Sequence, residues 1–201
     1  MGLISNGTTI FDNGSMGSGF GGSLNFISKA TASASASIEF TSGIDSTYKE
    51  YIFYFVNIHP ATDSADFFFN LSADSGSNYN VTKTSTFFGA YNDESGTSYT
   101  VGYFGAEDLA QSTSDQKLFN DLGNGNDETL SGSLHLFNPS STTFVKHFIA
   151  NIHGYNGGNF AINSFIAGYG NTTSSIDAIK FVMSSGNIDS GTIKLYGIKD
   201  S

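Results

Sequence analysis

The chain has no cysteine and no arginine, and only two prolines in 201 residues. Without cysteine, disulfides, zinc–thiolate sites and cysteine nucleophiles are excluded outright. The eight basic residues are all lysines and face eighteen acidic ones, for a formal net charge of −10. A nucleic-acid binder needs cations against phosphate, arginine above all for bidentate contacts, so no nucleic-acid partner is expected. An anionic membrane surface is disfavoured on the same ground. Charged residues make up only 13% of the chain, whereas a disordered acidic tail would be charge-rich and poor in aromatics. No run approaches the ~20 apolar residues of a membrane span. The opening MGLISNGTTIF has neither a basic region nor a long apolar run, which predicts no signal peptide.

What is present is aromatic. Phenylalanine occurs 19 times and tyrosine 10 times, and 38% of residues are hydrophobic. That is enough to bury a sizeable core. Solubility then falls to Ser, Thr, Asn and Gly, a composition typical of secreted or virion β proteins. The length suits one large β domain or one domain with an appended arm. Residues 1–22, dense in glycine, read either as a disordered leader or as an extended arm on a neighbouring subunit; the apolar residues Leu3, Ile4, Ile10 and Phe11, in pairs without a helical period, favour the arm. These four are candidate assembly contacts. Residues 23–201 form the single domain.

Short apolar runs of period two follow one another along that domain. They cover Leu24 to Lys29, Ile38 to Phe40, Tyr48 to Ile58, Phe67 to Leu71, Val81 to Phe88, Leu130 to Phe137, Phe144 to His153 and Ala161 to Tyr169. In YKEYIFYFVNI both faces are apolar, which predicts a central strand buried between two layers. Residues 106–122 hold the only candidate helix, a weak one without a clean 3.6 stripe. The closing stretch, Ile176 to Ile198, predicts a hairpin of two strands around a Ser- and Gly-rich turn. About ten strands without helical crossovers predict an all-β antiparallel sandwich.

No stretch predicts a catalytic site. His147 and His153 share a strand face but stand about 20 Å apart along it, too far for one metal. Asp121 to Glu128 (DLGNGNDE) is acidic and glycine-rich, as calcium loops are, but Gly123 stands where an EF-hand needs Asp or Asn. A solvated loop is the better reading, as it is for Asn92 to Glu94. Glycosidase chemistry needs two converging carboxylates, and these are scattered through loops. No G-x-S-x-G elbow occurs in a strand–turn–helix setting. Catalytic, cofactor-binding and metal residues are therefore all expected to be none, and no enzyme is expected. Tyrosines at strand ends and in loops remain, and Tyr91, Tyr99, Tyr103 and Tyr155 are candidate glycan contacts by stacking.

The stretches GLISNGTTIFDNGS, SLNFISKATASASASIEFT, DSTYKEYIFYFVNIHPATD, NPSSTTFVKHFIANIHG and SGNIDSGTIKLYGIK resemble a family of small virion proteins from marine tailed phages, especially phages of cyanobacteria. The closing LYGI also resembles the end of a wider set of phage tail-fibre and particle-surface β domains. The resemblance spans nearly the whole chain and carries no catalytic motif. It implies a jelly-roll β-sandwich repeated on a particle, as a head decoration (cement) or tail accessory protein. The alternative is a receptor-binding tail-fibre tip that touches host glycans. Implied partners are other copies of the chain, as a trimer, and other virion proteins. The implied location is the virion, after synthesis in the cytoplasm of an infected bacterium.

Overall fold

The computed structural model describes residues 22–200; before them it describes only the backbone of residues 3–6, 8–12 and 15–16 and the side chains of Ile4 and Asn6. That leading segment carries β1 (Leu3–Ser5), β2 (Thr8–Asp12) and β3 (Ser15–Met16), which pair with one another as a three-stranded sheet. Leu3 stands opposite Phe11 and Ile4 opposite Thr9, so the backbone here is hairpin-paired where a simple extended arm was expected. Ile4 is exposed. The side chains of Leu3, Ile10 and Phe11, three of the four expected assembly contacts, lie outside the described residues.

Residues 22–200 form an all-β sandwich of twelve strands in two antiparallel sheets, with no helix among the described residues. The smaller sheet has the order β10 (Gln116–Leu122), β7 (Ala65–Ser72), β14 (Ala178–Met183), β5 (Ile38–Phe40). The larger runs β4 (Leu24–Thr31), β15 (Ile188–Ile198), β6 (Glu50–Pro60), β11 (Leu130–Phe137), β12 (Lys146–Tyr155), β13 (Phe160–Gly170), β8 (Lys83–Asp93), β9 (Tyr99–Tyr103). Period-two alternation gives each strand one apolar face. Phe67, Phe69 and Leu71 of β7, Ile179 and Phe181 of β14, Leu130, Leu134 and Leu136 of β11, and Phe148 and Ile152 of β12 are completely buried between the sheets. Each such side chain contributes roughly 1.5–3 kcal/mol of transfer free energy, an upper estimate given a partly collapsed unfolded chain.

Four sequence expectations are corrected. The candidate helix is absent: residues 106–115 are turns and bridges, and Gln116–Leu122 is strand β10. Its pairing with β7 slips twice, and Asp121 takes φ +50°, so bulges break the alternation that would have marked a strand. The closing stretch is no hairpin, because β14 lies in the smaller sheet and β15 in the larger. Both strands have an apolar face, and each sheet claims one of them. Strand β6 is not buried on both faces: Tyr51, Phe53 and Phe55 face the core, while Tyr54 and Val56 are exposed. At Asn57, φ +50°, one extra residue on β6 opposes β11, and this bulge returns Ile58 to the core. Finally, residues 91–99 are not simply a polar connection. Residues 91–93 end β8 and Tyr99 begins β9, joined by a tight turn over 94–98, with Asn92 opposite Tyr99.

Candidate functional site

The larger sheet is broader than the smaller one. Beyond the edge strand β10, the inner faces of β13 and β8 are left without a covering sheet, and a cleft of about 300 Å³ opens there. Its walls are aromatic. Phe87 and Tyr91 come from β8, Phe160 and Ile162 from β13, and Phe104 follows β9. Tyr91 meets Phe160 edge-to-face at 5.4 Å, and Phe87 meets Phe104 at 6.1 Å. The Phe104 backbone N–H donates to Phe87 O at 2.9 Å, which fixes that ring over the strand.

Polar groups enter from β10 and from the turn before β13. Asn156 Oδ1 accepts from the N–H groups of Gly158 at 3.0 Å and Phe160 at 2.9 Å, an Asx-type turn that sets Phe160 in place. Asn120 Nδ2 donates to Glu107 Oε1 at 3.0 Å, while its buried Oδ1 has no hydrogen-bond partner within the protein. Asp121 N–H donates to Asp66 Oδ1 at 3.0 Å, and Asp121 O accepts from Gly157. Burial, followed by the charge of Asp66, holds the Asp121 carboxyl above the ordinary carboxylate range. Behind this wall Lys117 Nζ is clamped between Asp66 Oδ2 at 2.7 Å and Glu107 Oε2 at 2.5 Å.

Of the four expected glycan-contact tyrosines, only Tyr91 lines the cleft. Tyr99 and Tyr103 lie on the exposed outer face of the edge strand β9. Tyr103 donates to Asp108 Oδ2, which pushes its phenol pKa up. Tyr155 stands in one row with Ala161, Asn92 and Tyr99, three strand spacings or about 14 Å from Tyr99. Its hydroxyl bonds Glu94 Oε1 at 2.9 Å and Asn159 Oδ1 at 3.0 Å, so it braces a turn. The sequence reading missed Phe104, Asn120, Asn156 and Phe160. The Asn-Gly-Gly-Asn turn before Phe160 was the available signal, since it has to carry the chain from β12 into β13.

The other candidates resolve as structure. Gly125 N–H donates to Glu128 Oε2 at 2.5 Å, so the acidic loop closes on its own carboxylate. Among the described residues no three His, Asp or Glu side chains gather as a metal cluster. His135 pairs with Glu50 at 2.6 Å and His59 with Asp189 at 3.6 Å.

A second surface is the outer face of the larger sheet. Phe26 and Tyr54 both pack edge-on against Tyr196, at 5.5 and 5.7 Å. Phe88 stacks on Phe165 at 5.1 Å. Phe26 is 56% exposed, Ile149 52% and Phe88 47%, so apolar side chains stand on both halves of this face, with Ser131, Ser133 and His135 of β11 between them. No family model matches this chain, nor does a curated protein or a solved structure.

Proposed function

We propose that this chain is a non-enzymatic structural protein of a phage particle surface, in a head decoration or tail accessory role. The observation that carries the reading is the apolar outer face of the eight-stranded sheet. Two exposed apolar groups, Phe26 and Tyr54 around Tyr196 on one side of β11 and Ile149 and Phe88 around Phe165 on the other, mark an interaction face. On a particle it is covered by other copies of the chain and by neighbouring virion proteins. The sandwich also supports the jelly-roll order implied by the resemblance. A jelly roll pairs its strands B to I as B-I-D-G and C-H-E-F. Here β5-β14-β7-β10 takes the first order. The second becomes β6, then β11-β12-β13, then β8-β9, with a three-strand meander in the place of H and β15 and β4 added beyond β6. The meander's two extra strands preserve direction, so the sheet stays antiparallel.

The test is occupancy on the particle. Phe88→Asp combined with Ile149→Asp is expected to leave the melting temperature nearly unchanged, because both side chains are about half exposed. The same pair should reduce incorporation into particles at least tenfold. Normal incorporation of a folded double variant would reject this face as the assembly surface. Cryo-electron microscopy of the wild-type particle then separates density on the head lattice from density on the tail.

The cleft favours a second reading, contact with a host surface glycan. Aromatic walls with a few convergent amides suit a sugar, whose apolar faces stack while its hydroxyls need partners. The wall holds one carboxylate, Asp121, where glycoside hydrolysis uses two. Tyr91→Ala is expected to weaken glycan binding roughly tenfold, as truncation of a buried aromatic anchor does. Titration of immobilised host polysaccharide reads this directly, and equal affinity of the variant rejects the cleft as the site.

A further inference from the structure

Two lysines, Lys83 and Lys146, are completely buried. They flank Gly170 in one row across β8, β13 and β12. Lys146 Nζ donates to Phe144 O at 2.7 Å and Thr172 O at 3.2 Å. Backbone carbonyls are an ordinary way to satisfy a buried ammonium. Lys83 has a different partner. Its Nζ stands 2.5 Å from Asn70 Oδ1 and 2.8 Å from Val81 O.

Asn70 is itself buried, and each end of its carboxamide is engaged. The backbone N–H of Leu71 donates to Asn70 Oδ1 at 2.9 Å. Asn70 Nδ2 donates to Asp115 Oδ1 at 2.7 Å and to Thr113 O at 3.0 Å. So an amine lies against the carbonyl, an amide donor sits on the oxygen, and a carboxylate sits on the nitrogen. These are the parts that acyl transfer to an amine requires: a positioned nucleophile, an oxyanion donor and a proton carrier at the leaving group.

We propose that Lys83 and Asn70 join in an intramolecular isopeptide bond, formed by the folded chain without any other reactant. Neutral Lys83 Nζ attacks Asn70 Cγ, and the new C–N bond places negative charge on Oδ1, facing the Leu71 N–H. Once bonded to Cγ, Nζ lies beside Nδ2, where the Asp115 carboxylate already sits, so Asp115 takes the proton released from Nζ and returns one to Nδ2. The Cγ–Nδ2 bond then breaks and ammonia leaves. One amine and one primary amide become one secondary amide and one ammonia, with no change of oxidation state.

The surroundings favour each step. Burial lowers the Lys83 pKa to about 8, with Asp115 pulling it up and Lys180 pushing it down. Roughly a tenth of the amine is then neutral at pH 7. Water, the competing nucleophile, is excluded from both side chains by their burial. Asp115 is partly exposed and lies 3.7 Å from Lys180 Nζ. Lys146, lacking any amide or carboxyl side chain at its Nζ, has nothing to acylate it, which confines the chemistry to Lys83.

The bond would tie β7 of the smaller sheet to β8 of the larger. The chain has no cysteine for a disulfide, and an isopeptide does the same work where no redox chemistry is available.

The experiment is an intact-mass measurement on the purified, folded full chain, with Lys83→Met and Asp115→Asn beside it. The wild type is expected to be lighter than its sequence mass by one ammonia. Trypsin should then leave residues 50–117 as one fragment, uncleaved after Lys83 and looped between residues 70 and 83. Both variants are expected at full sequence mass, with circular dichroism reporting that Asp115→Asn is folded. Wild-type protein that stays at full mass after prolonged incubation overturns the proposal. So does an ammonia loss that persists in Lys83→Met, because that would be a cyclised asparagine and not a cross-link.

Discussion

Phe181→Ala is expected to destabilise the domain by about 3–5 kcal/mol, the range for emptying a fully packed phenylalanine site. The reason lies in what Phe181 joins. Its ring packs on Phe40 and Phe67 of the smaller sheet, at 6.4 and 6.0 Å. It also packs on Phe53 and Phe55 of the larger sheet, at 5.5 and 5.2 Å. No part of the ring reaches solvent. Small domains hold only about 5–15 kcal/mol in all, so one truncation removes a large share. Urea unfolding should show a lower midpoint at constant slope, and Phe181→Leu should recover most of the loss. A loss below about 1 kcal/mol would mean that the two sheets close over the gap, and that their packing is looser than these ring distances imply.

Gly132→Val is expected to cost at least as much, through crowding. Gly132 lies on β11, which is paired on one side with β6 and on the other with β12. A Cβ there would press on the Asn151 carbonyl oxygen and stand 2.8 Å from the Ile152 Cα. Both are backbone atoms of a paired strand, so no side-chain rotation relieves the clash. Even alanine should lose about 1–3 kcal/mol, the usual cost of overpacking. Valine should leave mostly insoluble protein. Amide hydrogen exchange should find the new weakness in β11 and β12 first. Uniform protection across the larger sheet in the alanine variant would contradict this strand pairing.

How far the fold could be read from the sequence depends on which forces act locally. Leu130 to Phe137 was legible to the residue, because its inward leucines Leu130, Leu134 and Leu136 keep period two around Gly132 and Asn138-Pro139 stops it. Strand β10 was illegible because two bulges fold its apolar residues onto one face at uneven spacing. The false hairpin at the end has a different cause. Alternation says that a strand has a buried face, but not which sheet it joins. Neighbours along the chain normally pair, and here β14 and β15 do not. The exposed face of β6 misled for a similar reason: Tyr54 and Val56 read as core from their chemistry alone, yet they belong to the outer surface.

The candidate sites were less legible than the fold. Tyr91 was found because tyrosine near a turn is conspicuous. Phe160 and Asn120 owe their place in the cleft to the larger sheet extending past β10, a property of two strand counts and not of any local motif. The pairing of Lys83 with Asn70 is a tertiary fact too. The two residues belong to different sheets, and nothing in NLSADSGSNYNVTK announces that they meet.

The position of β15 between β4 and β6 has a consequence for how the chain is made. Strand β4 is among the first of the domain to leave the ribosome, and its only strand partner among the described residues is the last, β15. Until β15 emerges, β6 also has one side open. A nascent chain therefore waits with two unpaired edges through most of its synthesis. Closure of so long a loop is slow and leaves those edges open to other nascent copies. Translation faster than this closure should yield aggregates joined through β4 and β6, and slower expression at lower temperature should raise the soluble fraction.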